Sequence, residues 1–340
     1  MVNVTLYTRE DCHLCDEIKV DLESLQEKYP HRLIEIDIES DPALYTEYSE
    51  TIPVIEVGPY LLKAPIKKQD LAMTIGAAAD RQDQLKRTGD DLYRKRAQRG
   101  QTFSGADKFS HWFSRRYMLV FTLIIFFYVG LPILAPVLMN AGATAPAKII
   151  YKMYSPLCHQ FGFRSFFLFG EQPYYPLTES GIAGEGTDLL DFETATGITH
   201  IHDASSPTRW EARNYIGDEI VGYKMALCER DIAIYGAMLL FALLFWVTGH
   251  RIPPLHWTLW LLIGIGPIGL DGFSQIISQF EISGLSNLLP YRESIPFMRV
   301  LTGFLFGFAT AWFGFPYVEE SMRETRQIYI KKIAVIKAMD

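Results

Sequence analysis

Cysteine is scarce in this chain, with four residues in 340. That rules out a disulfide scaffold and leaves two pairs in unlike settings, Cys12 with Cys15 and Cys158 with Cys228. An excess of positive charge is missing as well. The net charge of −7 argues against nucleic acid as a partner. The first residues lack a basic segment followed by an apolar stretch and a cleavage site. The N-terminal region is therefore expected to stay on the side where it is made. No second Cys-x-x-Cys exists, and near the first pair only His13 and His31 are available, too few ligands for a zinc site there. No haem or quinone motif is evident, the long apolar runs carry no central histidine, and no metal or cofactor is assigned.

What is present divides the chain in two. The mean hydropathy of +0.08 averages a polar, charged first third and a remainder dominated by long apolar runs. The runs have the length and composition of membrane spans. The expected organisation is an α/β domain over 1–82, a charged linker over 83–112, an all-α membrane domain of four spans over 113–322 and a tail over 323–340. The linker reads first as a solvated helix followed by a flexible stretch, and its Arg94, Lys95, Arg96 and Arg99 also suit anionic lipid headgroups.

In the first domain, Val4-Thr5-Leu6-Tyr7 reads as a strand. From Cys12 the pattern turns helical, with Leu14, Ile18, Leu22 and Leu25 at spacings of three and four. Leu33–Ile38 and Ile52–Val57 read as further strands, and Tyr60-Leu61-Leu62 as a fourth. Asp41-Pro42 opens a short helix, Asp41 as N-cap, and a last helix covers about Lys67–Ala79. The order is βαβαββα. Tyr7-Thr8, the Cys12-His13-Leu14-Cys15 motif and Thr51-Ile52-Pro53 together resemble the glutaredoxin-like branch of the thioredoxin fold, over about 80 residues. The resemblance implies a cis peptide bond before Pro53 and a redox dithiol. Cys12 would be the nucleophile, activated by the helix N-terminus, Cys15 the resolving thiol, and Thr51 and Pro53 the wall of a substrate groove. Asp11 and Asp16 oppose the activation slightly. Glutaredoxins carry Gly-Gly before the last helix, to hold a carboxylate of glutathione. Here Ile66-Lys67-Lys68-Gln69-Asp70 stands in its place, so another protein's thiol or disulfide is at least as good a partner as glutathione.

The spans are expected at Tyr117–Met139, Ile232–Thr248, Leu255–Leu270 and Pro296–Val318. Lys108, Arg115 and Arg116, then Arg251, then Arg323, Arg326, Lys331 and Lys332 flank them on one side. The positive-inside rule puts both termini in the cytoplasm. Residues 140–230 then face outside, and their polar part, about 170–223, reads as an inserted hairpin or long loop rather than a core. Gly303 and Gly307 suit close helix packing. The stretches CHQFGFRSFFLFG, CERDIAIYG, GPIGLDGFSQ and RVLTGFLFG resemble a family of small bacterial membrane proteins of unknown function, over about residues 150–315. The expected location is a bacterial cytoplasmic membrane.

Cys158, Cys228, Asp271 and Arg299 should lie at similar depth, at the outer boundary, with His159, Arg164 and Arg230 nearby. An Asp271–Arg299 ion pair is expected, Arg164 and Arg230 being competing partners; simple anchoring of helix ends is the plainer alternative. A Cys158–Cys228 disulfide is expected because the outside is oxidising. A metal held by Cys158, His159 and Cys228, with His200 or His202, is a second reading, and two unpaired buried thiols a third. The function expected is a membrane-tethered thiol–disulfide oxidoreductase. The alternative is an accessory or assembly subunit of a larger membrane complex, with the first domain as a docking module. A direct relay between the two cysteine pairs is disfavoured. No cysteine lies within a span, and hydrocarbon about 30 Å thick would separate sulfurs that must touch to exchange.

Overall fold

The computed structural model describes residues 1–87, 102–201, 207–279 and 292–339. The linker arginines and lysine at 94–99, and His202, lie outside the described residues. The chain forms two compact units, Met1–Tyr117 with Glu320–Asp340, and Met118–Glu319.

The first unit runs β1 (Val2–Thr8), α1 (His13–Leu25), β2 (His31–Asp37), α2 (Pro42–Tyr48), β3 (Val54–Val57), β4 (Tyr60–Lys63) and α3 (Lys68–Arg87). This is the expected βαβαββα order, a thioredoxin-like domain. The sheet order is β2-β1-β3-β4, with β1 and β2 parallel and the other pairings antiparallel. Val2, Val4 and Leu6 alternate with the less buried Asn3 and Thr5, and Tyr7 is buried on the opposite face, so both faces of β1 are covered toward its C-terminal end. One face packs Val4 and Leu6 against Ile18, Leu22, Leu71 and Ile75 of the two long helices. The other packs Tyr7, Ile34 and Ile36 against Leu44 and Tyr48 of α2. Each such aliphatic side chain contributes about 1.5–3 kcal/mol by leaving water. Asp41 caps α2 as expected, its carboxylate accepting from the Ala43 N–H at 2.8 Å. In α1 the buried stripe is Cys15, Ile18, Leu22 and Leu25, whereas Leu14 is exposed. Starting the stripe at Leu14 was off by one position, and one position is about 100° around a helix.

The expected tail is helical. The last helix extends from Pro296 to Lys337, and its final turns belong to the first unit. There Ile330, Ala334 and Val335 cover the second face of the sheet. The Lys331 ammonium donates to Glu56 Oε2 at 2.7 Å, and the Tyr7 hydroxyl donates to the same oxygen at 3.0 Å. Burial first, then the Glu56 carboxylate, raises the Tyr7 hydroxyl well above its ordinary range. Arg326 pairs with Asp41 at 3.4 Å and donates to the Ser114 carbonyl at 3.0 Å.

The second unit is helical apart from a three-stranded ribbon. Among the described residues, four helices are long and apolar enough to cross a membrane: α4 (Gly105–Asn140), α8 (Glu229–Val247), α9 (Trp257–Ser278) and α10 (Pro296–Lys337). Each runs past an expected limit: α4, α8 and α10 because helical hydrogen bonding continues into charged flanks that a hydropathy reading leaves out, and α9 because the helix continues through Asp271 to Ser278. Within α9 the residues Trp260–Ile265 wind as a π-helix just before Pro267, which has no N–H to donate. The sequence reading missed α5 (Thr144–Tyr154). The polar insertion contains a hairpin, as expected, but it also has a packed core. Just after β5 (Phe167–Leu168) it holds α6 (Phe192–Thr196), α7 (Thr208–Asn214), β6 (Gly217–Asp218) and β7 (Gly222–Lys224). Phe163, Phe167, Tyr175, Leu177, Phe192 and Val221 give it a core of its own. These apolar residues are too widely spaced to register as periodic. Gly303 and Gly307 press α10 onto α8: a Cβ at Gly307 would lie 2.0 Å from the Ile234 carbonyl oxygen.

Candidate functional site

Two constellations carry chemistry. The first is the dithiol. Cys12 is the N-cap of α1 and is joined to Cys15 in a disulfide, with Cα atoms 5.2 Å apart. Cys15 is fully buried; Cys12 is partly exposed. The Cys15 N–H donates to the Cys12 sulfur at 3.3 Å, so the free end of the helix points at the outer sulfur of the pair. Of the two nearby acids, Asp16 is drawn to Lys19 at 3.6 Å, and Lys19 also meets Glu35 at 2.8 Å. The peptide bond before Pro53 is cis, as the resemblance implied. Tyr7 pairs with Val54, so Pro53 lies beside Thr8 at the end of the sheet from which the dithiol loop departs. Thr51 closes the turn after α2, its N–H donating to the Tyr48 carbonyl at 2.9 Å.

The second constellation sits where α8 and α10 begin. Cys228 is the N-cap of α8, and its N–H donates to the Cys158 sulfur at 3.4 Å. The expected disulfide between them is absent, and both are free, buried thiols. Cys158 enters instead as the acceptor for the buried Cys228 N–H at the start of α8, which has no partner within the helix. The Cys228 thiol also hydrogen-bonds to Cys158, which lowers the Cys158 thiol and, with burial, raises that of Cys228. His159 follows directly. Burial, then Arg164 and the other nearby cations, pushes its pKa down to about 3, so the ring is neutral. The Phe161 N–H donates to its Nδ1 at 3.2 Å.

The expected Asp271–Arg299 pair is not formed either. Asp271 lies inside α9 and pairs with Arg230 and, at 2.9 Å, with Arg292, while the Ser294 hydroxyl donates to it at 2.9 Å. Arg299, 3 % exposed, instead bridges Glu229 at 3.2 Å and Glu293. Glu293 also holds Arg164 bidentately at 2.7 and 2.8 Å. Arg230 and Arg299 thus sort to different carboxylates. Glu229 lies within the CERDIAIYG stretch and Glu293 stands 6 positions before Arg299, but neither was assigned a role. Gln160 and Lys224 were missed as well. Gln160, at φ +53°, donates to the carbonyls of Tyr151 and Ala226. Lys224 is buried against the Gln160 carbonyl at 2.7 Å, and burial lowers its pKa to about 7. A cavity of about 270 Å³ joins the two cysteines, His159, Arg164, Arg230 and Arg299. His200 is not in the sulfur–imidazole group.

Fold and site together define a thioredoxin-type dithiol domain fused to a four-span helical membrane domain. Residues 3–76 match the family described as a Glutaredoxin-like domain (DUF836), and residues 219–313 the one described as a Predicted membrane protein (DUF2085). The second match takes in Cys228, Arg230, Asp271 and Arg299 but begins after Cys158, so the resemblance drawn from residue 150 onward is only partly covered. The chain is also similar to an uncharacterized protein of the archaeon Methanocaldococcus jannaschii, MJ1492. They are 24 % identical over 209 residues, which is 59 % of this chain and 90 % of that protein. No solved structure matches.

Proposed function

We propose that the protein is a membrane-tethered thiol–disulfide oxidoreductase acting through Cys12 and Cys15. The observation that carries this reading is a disulfide at a helix N-terminus, with one sulfur accessible and one buried. In the reduced protein the Cys12 thiolate attacks a substrate disulfide. A mixed disulfide forms and the first substrate thiolate leaves, taking up a proton. The Cys15 thiolate then displaces the second substrate sulfur. The substrate gains two electrons, and Cys12–Cys15 returns to the disulfide described above. Thr51 and Pro53 flank the groove, and the exposed Leu14 adds an apolar rim suited to a protein substrate. The full-length protein, reduced and freed of reductant, should transfer its electrons stoichiometrically to an accessible protein disulfide. No transfer would reject the reading.

The dithiol domain is assigned to the cytoplasmic side of the cell membrane. Supporting this are the even number of spans, the basic flanks, and the packing of the C-terminal turns on the N-terminal sheet within one unit. Only 17–33 % of each span's apolar window is buried, which leaves the remainder for lipid or for other subunits. In a chain stripped of its four cysteines, a reporter at Ser180 should be labelled from outside the cell and one at Ser24 should not. The reverse pattern would overturn the orientation.

A further inference from the structure

The dithiol mechanism makes no use of the second pair of thiols. We propose that Cys158, His159 and Cys228 bind one thiophilic divalent metal ion of the zinc class, with the fourth coordination position open to the adjoining cavity.

The geometry comes first. One ligand atom from each of the three side chains lies within 4.8 Å of the others. Tetrahedral zinc, with bonds of about 2.3 Å to sulfur and about 2.0 Å to nitrogen, spaces its ligand atoms about 3.6–3.8 Å apart. The group therefore draws in by at most about 1 Å, within reach of side-chain rotation. The ligands come from two places held rigidly together. Cys158 and His159 follow α5, anchored by the Cys158 N–H to the Tyr154 carbonyl at 3.0 Å, and Gln160 ties that turn to Ala226. Cys228 opens α8, a 19-residue helix.

The donor set decides the ion. Two sulfurs and an imidazole suit zinc and its softer neighbours, and they do not suit magnesium or calcium, which take oxygen. Both sulfurs are unbonded and buried, so neither is committed to a disulfide. The Cys228 N–H already donates to the Cys158 sulfur, an outer contact that would steady a ligating thiolate. Ligation at His159 exchanges the 3.2 Å contact from Phe161 for a metal bond.

Charge permits it. The cavity's three arginines would repel a cation, but each is matched: Arg164 by Glu293, Arg230 by Asp271, and Arg299 by Glu229 and Glu293. Asp231 also lines the cavity. Three protein ligands beside a cavity of about 270 Å³ leave room for water at the fourth position.

The test uses the full chain carrying Cys12→Ser and Cys15→Ser, so that every remaining thiol belongs to this site. Purified under reducing conditions and stripped with a chelator, it should take up one zinc ion per chain. Cobalt should produce thiolate-to-metal charge-transfer absorption. Adding Cys158→Ser, Cys228→Ser or His159→Ala should each weaken zinc binding by more than the roughly 10–100-fold that loss of an outer partner costs, whereas His200→Ala should leave it unchanged. Zinc should also shield both thiols from alkylation, a readout that needs no substitution at the site. The proposal is overturned by failure to bind zinc, by equal binding in the Cys158→Ser chain, or by equal alkylation with and without zinc. A Cys158–Cys228 disulfide in protein taken directly from membranes would overturn it as well.

Discussion

Replacing Cys12 by serine in the full-length protein should reduce disulfide exchange by about a thousandfold or more, to the uncatalysed rate, because the one sulfur left in the dithiol site, Cys15, is buried. Cys15→Ser should behave differently. The attacking sulfur is kept and the resolving one is lost, so mixed disulfides should accumulate on Cys12 and be visible as adducts by mass spectrometry. The asymmetry follows from position. Cys12 caps α1 and is accessible, and the Cys15 N–H points at its sulfur at 3.3 Å. Such a terminus favours a neighbouring negative charge by about 0.3–1 kcal/mol when exposed. Cys15 is fully buried and reaches only what Cys12 has already bound. Equal activity in wild type and Cys12→Ser would end the redox reading. Adducts on Cys15 in the Cys12→Ser protein would reverse the assignment of roles.

Arg299→Met should lower the stability of the membrane domain by about 3–5 kcal/mol, the loss typical when one partner of a buried ion pair is removed. The arginine is 3 % exposed, and the side chains of Glu229 and Glu293 are each 1 % exposed. Taking away the guanidinium leaves Glu229 buried without it and leaves Glu293 to Arg164 alone. Arg299→Lys should recover little, since an ammonium cannot span two carboxylates as a planar fork does. Arg164→Met should cost less, because Glu293 keeps Arg299. Changing Arg299 to Met together with Glu229→Gln should recover much of the loss, because Glu293 keeps Arg164 and no unpaired buried carboxylate then remains. Thermal unfolding in detergent distinguishes these outcomes. Unfolding of Arg299→Met at the wild-type temperature would show that the cluster only anchors helix ends.

Much of the N-terminal domain was legible before any coordinates. Its strands and helices are short and bounded by strong local signals: Asp41 before Pro42, Pro30 after α1, and an apolar run before the dithiol. The same local rules placed the four spans to within a few residues at their apolar centres. They failed at the span ends, where a helix continues into charge, and in the insertion, where sparse aromatics make a core without any period. Local patterns also had Leu14 inward. Only packing against β1 selects the face that Cys15 begins.

The sequence by itself determined the class of each domain and pointed to Arg164, Arg230, Asp271 and Arg299 as charges gathered at one end of the bundle, but not to Glu229, Glu293 or Lys224. It did not determine how those charges pair. Arg164 and Glu293 are 129 positions apart, and Arg299 and Glu229 are 70 apart. No periodicity spans such distances, and a guanidinium accepts any carboxylate brought to it. The close fit of α10 on α8 through Gly303 and Gly307 decided the matter, because it brings Arg299 within reach of Glu229 and leaves Arg230 to Asp271. The docking of Ile330, Ala334 and Val335 on the first sheet, and the meeting of two thiols with an imidazole, were settled in the same way. Each depends on where a rigid element ends in space, which only the packed tertiary structure sets.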